Sequence, residues 1–147
     1  MDEIVVENLS KKFRAVTAVD GLSFAVARGE VFGLLGLNGA GKSTTVRVLA
    51  TLSQPSGGRA TIAGHDVATD PQAVRANLGY IAQASGVDRW ATGRENLVLQ
   101  AQLQRVAPAL VAERAADLLA RVQLSAAAGR LVNTYSGGMK RRLDIAM

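Results

Sequence analysis

The spacing of apolar positions changes character along the chain. Residues 4–9 (IVVENL) predict a first strand, with the polar Ser10, Lys11 and Lys12 and then Phe13 after it. Residues 16–26 carry a second extended stretch through Leu22, Phe24 and Val26. Residues 31–35 (VFGLL) are apolar without alternation, as in a strand buried on both faces of a parallel sheet. From Lys42 the spacing becomes helical and puts Val46, Leu49 and Ala50 on one face. Residues 54–58 (QPSGG) signal a turn, and residues 60–64 a short strand with His65 and Asp66 at its far end. Pro71 opens a short helix to Asn77, and residues 78–82 form a strand that ends at Gln83. Beyond Ala84 the pattern is helical. Thr92 and Glu95 have capping-box spacing ahead of Leu97, Leu99 and Leu103, and Pro108 opens a helix through Val111, Ala115, Leu118 and Val122. Residues 130–134 read as extended. Tyr135 and Ser136 then lead into a helix with Met139, Leu143 and Met147 four apart.

Between the apolar run at 31–35 and the first helix lie Gly36, Leu37, Asn38, Gly39, Ala40, Gly41, Lys42 and Ser43, which fit G-x-x-x-x-G-K-[ST]. Strand, glycine loop and helix in this order predict a phosphate site. Glycines let backbone N–H groups curl around a polyphosphate, and the positive helix end faces the same anion. Lys42 is expected to reach the β- and γ-phosphates and the Ser43 hydroxyl to hold Mg²⁺.

The 147 residues suffice for a core, and 48% apolar with 20% charged residues is globular rather than disordered. There is no cysteine, which excludes disulfide and thiolate-metal chemistry, and no apolar run nears the ~20 residues that span a bilayer. The acidic start MDEIVV is unlike a signal peptide, so a cytoplasmic location is expected, with any membrane contact made through a partner. A net charge of +5 invites a nucleic-acid reading, but aromatics are only 4% and do not interleave with the scattered basic residues. His65 is the one histidine, and no metal-ligating or acid–base partner lies near it in sequence, so an exposed turn position is expected.

Ser136, Gly137 and Gly138 form a second constellation. Serine there is an ordinary N-cap, yet two glycines in a first helical turn each cost about 1 kcal/mol against alanine. They suit a phosphate that approaches bare N–H groups. The glycine loop with Thr44, Gln83 after a strand, a helical insertion and then YSGGMKRRL together resemble the nucleotide-binding domain of ABC transporters. Tyr135 and Met139 stand where the usual LSGGQ has Leu and Gln. With TGRENL at 92–97, these departures resemble the daunorubicin-resistance branch of multidrug exporters.

The resemblance implies an α/β fold: a P-loop NTPase core (a RecA-like parallel sheet plus an antiparallel β subdomain) with an α-helical insertion. Residues 1–83 would hold the β subdomain and part of the core, and residues 84–147 the helical subdomain through the signature helix. It implies ATP and Mg²⁺ as ligands. Phe13 would stack on adenine, Gln83 would contact Mg²⁺ and the attacking water, and Tyr135, Ser136, Gly137, Gly138 and Met139 would close on ATP held by a second copy. The implied partners are a second ATP-binding subunit in a head-to-tail dimer and membrane permease subunits, with residues 92–97 near the permease on the inner face of the membrane; no nucleic acid is expected.

The family also needs four apolar residues running into Asp-Glu, and a later histidine. Asp2-Glu3 follows only Met1 and His65 precedes Gln83, so neither element is found, and the chain is expected to be a truncated fragment without turnover of its own. Two other readings are a non-catalytic nucleotide-binding module and a soluble ABC-type ATPase acting on nucleic acid.

Overall fold

The computed structural model describes residues 2–147, which separate into two compact units, one ending at Tyr80 and the other running from Ile81 to Met147. In the first unit, β1 (Asp2–Phe13) and β2 (Val16–Ala27) form a long antiparallel hairpin. Strand β3 (Gly57–Ile62) pairs with the other edge of β1. Ala63 and Gly64, both left-handed at φ 50° and 79°, then turn the chain into the short β4 (His65–Asp66). The order is β2-β1-β3-β4 and every pairing is antiparallel.

Strand β1 does not alternate cleanly, and the reason is local. Val6 and Leu9 are both buried, although they are three positions apart. A bulge at Asn8 (φ 49°) absorbs the extra residue and returns Leu9 to the core face. There they meet Ala60 and Ile62 of β3, Val48 of helix α1 (Lys42–Leu49), Val67, and Val74 of helix α2 (Pro71–Ala76). Asp70 caps α2 through Ala73 N–H, with proline in the first turn as expected.

The second unit is helical. α3 (Gly93–Leu103), α4 (Pro108–Arg121) and α5 (Gly137–Ala146) bury Leu97, Ala115, Leu119, Leu124, Val132, Tyr135 and Leu143 in one core. The capping box at Thr92 is formed in both directions: Glu95 N–H donates to Thr92 Oγ1, and Thr92 N–H donates to Glu95 Oε2 at 2.7 Å.

Five expectations are corrected. Residues 31–35 are not a strand: Val31 is 98% and Leu35 91% exposed, Leu34 is half-buried, and Phe32 stacks on Phe24 with centroids 4.9 Å apart. Residues 78–82 likewise run as irregular chain. A buried parallel strand exists only with neighbours on both sides, and among the described residues none pairs with either segment, so no parallel sheet forms here. On α1 the expected Val46 is exposed and Thr45 and Val48 are buried in its stead, while Leu49 packs partly and Ala50, just past the helix, is buried as expected. Thr45 tolerates burial because its hydroxyl donates to Gly41 O at 3.1 Å. His65 lies in β4 opposite Ile62 rather than in the turn, with Nδ1 3.0 Å from Asp70 Oδ2. Residues 130–134 are also not extended: Leu131 makes a single bridge to Thr92, and Val132–Thr134 is a 3-10 helix.

Candidate nucleotide-binding site

The glycine loop takes its shape from two left-handed residues, Gly39 at φ 85° and Gly41 at φ 83°. Gly41 is doubly constrained, because a Cβ there would collide with the carbonyl oxygen of Ala18 on β2. The start of α1 therefore lies directly against the sheet. Its first turn has no side-chain cap and no acidic residue, so its free N–H groups and positive end are left for an external anion. Leu37, Asn38, Gly39 and Ala40 are exposed.

Lys42 folds back over the loop and donates to Gly36 O and Leu37 O, both at 2.6 Å. This ties the two ends of the loop together and holds the ammonium over it, where an anion would recruit it without a large movement. Of three consecutive hydroxyls, Thr45 is buried and bonded within the helix, Thr44 is half-buried and Ser43 is exposed. Ser43 is thus the hydroxyl available to a cation. The residues present fit a magnesium-bound polyphosphate: an open cradle, an uncapped helix end, a cation and a free hydroxyl.

Phe13 ends β1 opposite Val16 and is 49% exposed, with Lys11 Nζ 4.9 Å from its ring centroid. A half-open ring at a hairpin end can stack a flat base. In the second unit, Gln83 is exposed in the irregular stretch before α3.

Ser136 caps α5, its Oγ accepting from Met139 N–H at 3.2 Å. Gly137 and Gly138 are exposed, and a Cβ on either would meet nothing within 4 Å. Nor is either among the positive-φ glycines. The fold itself therefore does not require glycine at these two positions, and the open space beside them is what a ligand needs. Met139 is half-buried against the helical core.

Tyr135 behaves differently from its neighbours. Its side chain is turned inward, 4% exposed, and its hydroxyl donates to Ala127 O at 2.7 Å. Burial raises the pKa of its phenol, and the Arg130 guanidinium, 5.9 Å from the ring centroid, opposes that shift. A Cβ on Gly93 would collide with the Tyr135 hydroxyl, so the starts of α3 and α5 are matched by shape. Only the pairing of a small residue with a distant tyrosine encodes this, and spacing along the chain does not signal it.

Asn96 went unnoticed in the sequence for a similar reason. Buried at 2% exposure, it accepts from Asp88 N–H at 2.7 Å and donates to Asp88 O and Thr92 O at 3.0 and 2.9 Å, fixing the loop ahead of α3. In the basic run at 140–142, Arg141 donates to Ala82 O, and Arg142 to Val122 O and Gln123 O just beyond α4. Two of its three cations are thus engaged by carbonyls of the chain itself.

The ABC transporter family model matches residues 19–147. The chain is 50% identical over 143 residues to the daunorubicin/doxorubicin resistance ATP-binding protein DrrA of Streptomyces peucetius, covering 97% of this chain and 43% of that protein. It is 46% identical over 145 residues to the doxorubicin resistance ATP-binding protein of Mycobacterium tuberculosis, covering 97% and 44%. It is 45% identical over 148 residues to the human phospholipid-transporting ATPase ABCA7, covering 99% of this chain and 7% of that one. The chain thus spans less than half the length of the drug-resistance relatives it matches. Among solved structures, an ATP-binding subunit of an ABC transporter superposes with a TM-score of 0.81 at 31% identity, covering 97% of this chain and 60% of that one. An ATP-binding cassette in its ADP conformation superposes with a TM-score of 0.84 at 24% identity, covering 99% and 63%, which supports the fold alone. A family match that spans both the glycine loop and the helix opened by two unforced glycines places this chain in the ABC transporter family.

Proposed function

We propose that these residues are the nucleotide-binding part of an ATP-binding subunit that drives export of a hydrophobic, drug-like small molecule through separate membrane subunits. The observation that carries the ATP site is the glycine loop: left-handed Gly39 and Gly41 against β2, an uncapped helix end, and Lys42 poised over the loop carbonyls. The export assignment rests on the similarity to drug-resistance ATP-binding proteins.

In this reading Gly36 to Thr44 wrap the phosphates, Lys42 binds the β- and γ-phosphates, and Phe13 stacks on adenine. Ser43 and Gln83 hold Mg²⁺, which supplies neutralisation of charge on the phosphate oxygens when bound. Ser136, Gly137 and Gly138, with the backbone of Tyr135 and Met139, close on the ATP of a second subunit in a head-to-tail dimer. Lys42 stabilises charge that develops as water attacks the γ-phosphate in line. The general base belongs to an Asp-Glu preceded by four apolar residues, a pattern that these 147 residues do not contain, so in this reading the chain by itself binds ATP without turning it over. The subunit works at the inner face of the cell membrane, held there by the permease.

The test compares ATP binding and hydrolysis by the chain and by a chimera extended with the Asp-Glu segment of a drug-resistance relative, each with a Lys42→Ala control. Binding by both and turnover by the chimera alone, each lost with Lys42, is the expected pattern. Lys42-dependent turnover by the chain itself would mean that a carboxylate within it is the base.

A second reading, lipid export, is favoured by the 45% identity to a phospholipid-transporting ATPase. Reconstitution with the cognate permease separates the two: dye or drug extrusion supports the first, and lipid flipping without drug movement supports the second.

A further inference from the structure

Two side chains on one face of α5 hold the segment that carries Gln83. Arg141 Nη1 donates to Ala82 O at 3.0 Å, on one side of Gln83. On the other side, Asp144 Oδ1 accepts from Ser85 Oγ at 3.1 Å and from Gly86 N–H at 2.9 Å. Positions 141 and 144 are three apart, so both project from the same side of the helix. The opposite side carries Leu143 and Ala146 into the core, and Arg142 anchors the same helix to carbonyls at the end of α4. The loop contributes no regular structure of its own across residues 81–84. These bonds, rather than any strand or helix, define where residues 82–86 lie relative to α5.

We propose that Arg141 and Asp144 are positioning residues that fasten the Gln83 loop to the helix opened by Ser136, Gly137 and Gly138. The group directed at the chain's own Mg²⁺ and the group directed at a partner's ATP then move as one body. This rests on the reading of Gln83 and of the α5 N-terminus given above. The two bonds at Asp144 use charge-assisted acceptance by a carboxylate, the stronger class of hydrogen bond. An amide oxygen at the same position would keep the geometry with weaker bonds, and alanine would remove it.

The test uses the chain itself in three forms: unaltered, Asp144→Asn and Asp144→Ala. Amide exchange is followed at Gly86, with the helical amides of Lys140 and Met147, bonded to Ser136 O and Leu143 O, as a folding control. Asp144→Ala is expected to speed Gly86 exchange by about tenfold or more while the helical amides stay protected. Asp144→Asn is expected to retain most of the protection. Binding of a fluorescent ATP analogue is then measured with and without Mg²⁺. Affinity without Mg²⁺ should stay within about twofold in all three forms, whereas the gain on adding Mg²⁺ should shrink severalfold in Asp144→Ala and be largely kept in Asp144→Asn.

Unchanged Gly86 protection in Asp144→Ala would overturn the fastening. Faster exchange with an unaltered Mg²⁺ response would overturn the link to the nucleotide site. If the unaltered chain binds no ATP, the proposed function fails on its own account, and Gly86 exchange alone decides whether Asp144 holds the loop.

Discussion

Gly93→Ala isolates the fit between α3 and α5. Gly93 has an ordinary helical backbone and sits at the start of α3, where alanine should be better by up to about 1 kcal/mol on propensity alone. The structure predicts the opposite sign. The new Cβ would occupy the place of the Tyr135 hydroxyl, which must move and give up its 2.7 Å bond to Ala127 O in a buried site. Losing that bond costs about 1 kcal/mol, since Ala127 O keeps a second donor in Arg130 N–H. Overpacking adds about 1–3 kcal/mol. Net of propensity, Gly93→Ala should destabilise by about 1–3 kcal/mol. Tyr135→Phe alone should cost about 1 kcal/mol. Combined, the two should nearly cancel the clash, because the nearest remaining atom is the ring Cζ at 3.3 Å, which a few tenths of an ångström relieves. The double variant should therefore be more stable than Gly93→Ala, with a coupling of about 2 kcal/mol or more. Urea unfolding of the four proteins, followed by far-UV circular dichroism, measures this. Additive effects, or a Gly93→Ala protein as stable as the parent, would refute the proposed fit.

Three further outcomes follow from the same geometry. Gly41→Ala should cost about 2 kcal/mol or more and abolish ATP-analogue binding, since both its left-handed φ and the Ala18 carbonyl exclude a Cβ; retained binding in a titration would contradict this. Asn96→Ala should cost about 2–4 kcal/mol, because it removes three hydrogen bonds and strands the Asp88 N–H; a midpoint shift under denaturant reads it directly. At Asp66, burial works to raise the carboxyl pKa, but hydrogen bonds from Ala68 N–H, the Arg59 side chain and Thr69 N–H prevail and hold it below the ordinary value. Its stabilisation is then complete above the unfolded carboxylate range and is lost as pH falls below about 4. Asp66→Asn should accordingly flatten the acid limb of the stability profile, and an unchanged limb would count against it.

The features legible in the sequence are those whose physics is local. The glycine loop needs nothing beyond its own contiguous residues and the helix that follows, and the Thr92 capping box and the Pro71 helix start are equally short-range. Residues 31–35 read as a strand because their composition suits one, but a buried strand is a property of its neighbours, and Val31 and Leu35 have none among the described residues. On α1 an apolar pattern selects the exposed Val46 and passes over Thr45, whose hydroxyl is satisfied inside the helix and so can be buried. Leu9 joins Val6 on one face only through the bulge at Asn8, which no period-two pattern anticipates. Tyr135 sits in a motif that reads as ligand-facing throughout, yet its ring belongs to the core, and the residue that makes room for it lies in a different helix.

The central claim is that this chain carries two half-sites, a phosphate loop for its own ATP and an α5 N-terminus for a partner's. Subunit mixing tests it most directly, using the hydrolysis-competent chimera. A Lys42→Ala copy and a Ser136→Arg copy should each be inactive alone, since each homodimer then lacks one half of both sites. Mixed one to one, half of the dimers acquire one intact composite site, and ATPase activity should return to roughly a quarter of the unaltered level. No recovery on mixing, or full activity of the Ser136→Arg copy alone, would contradict the shared-site account.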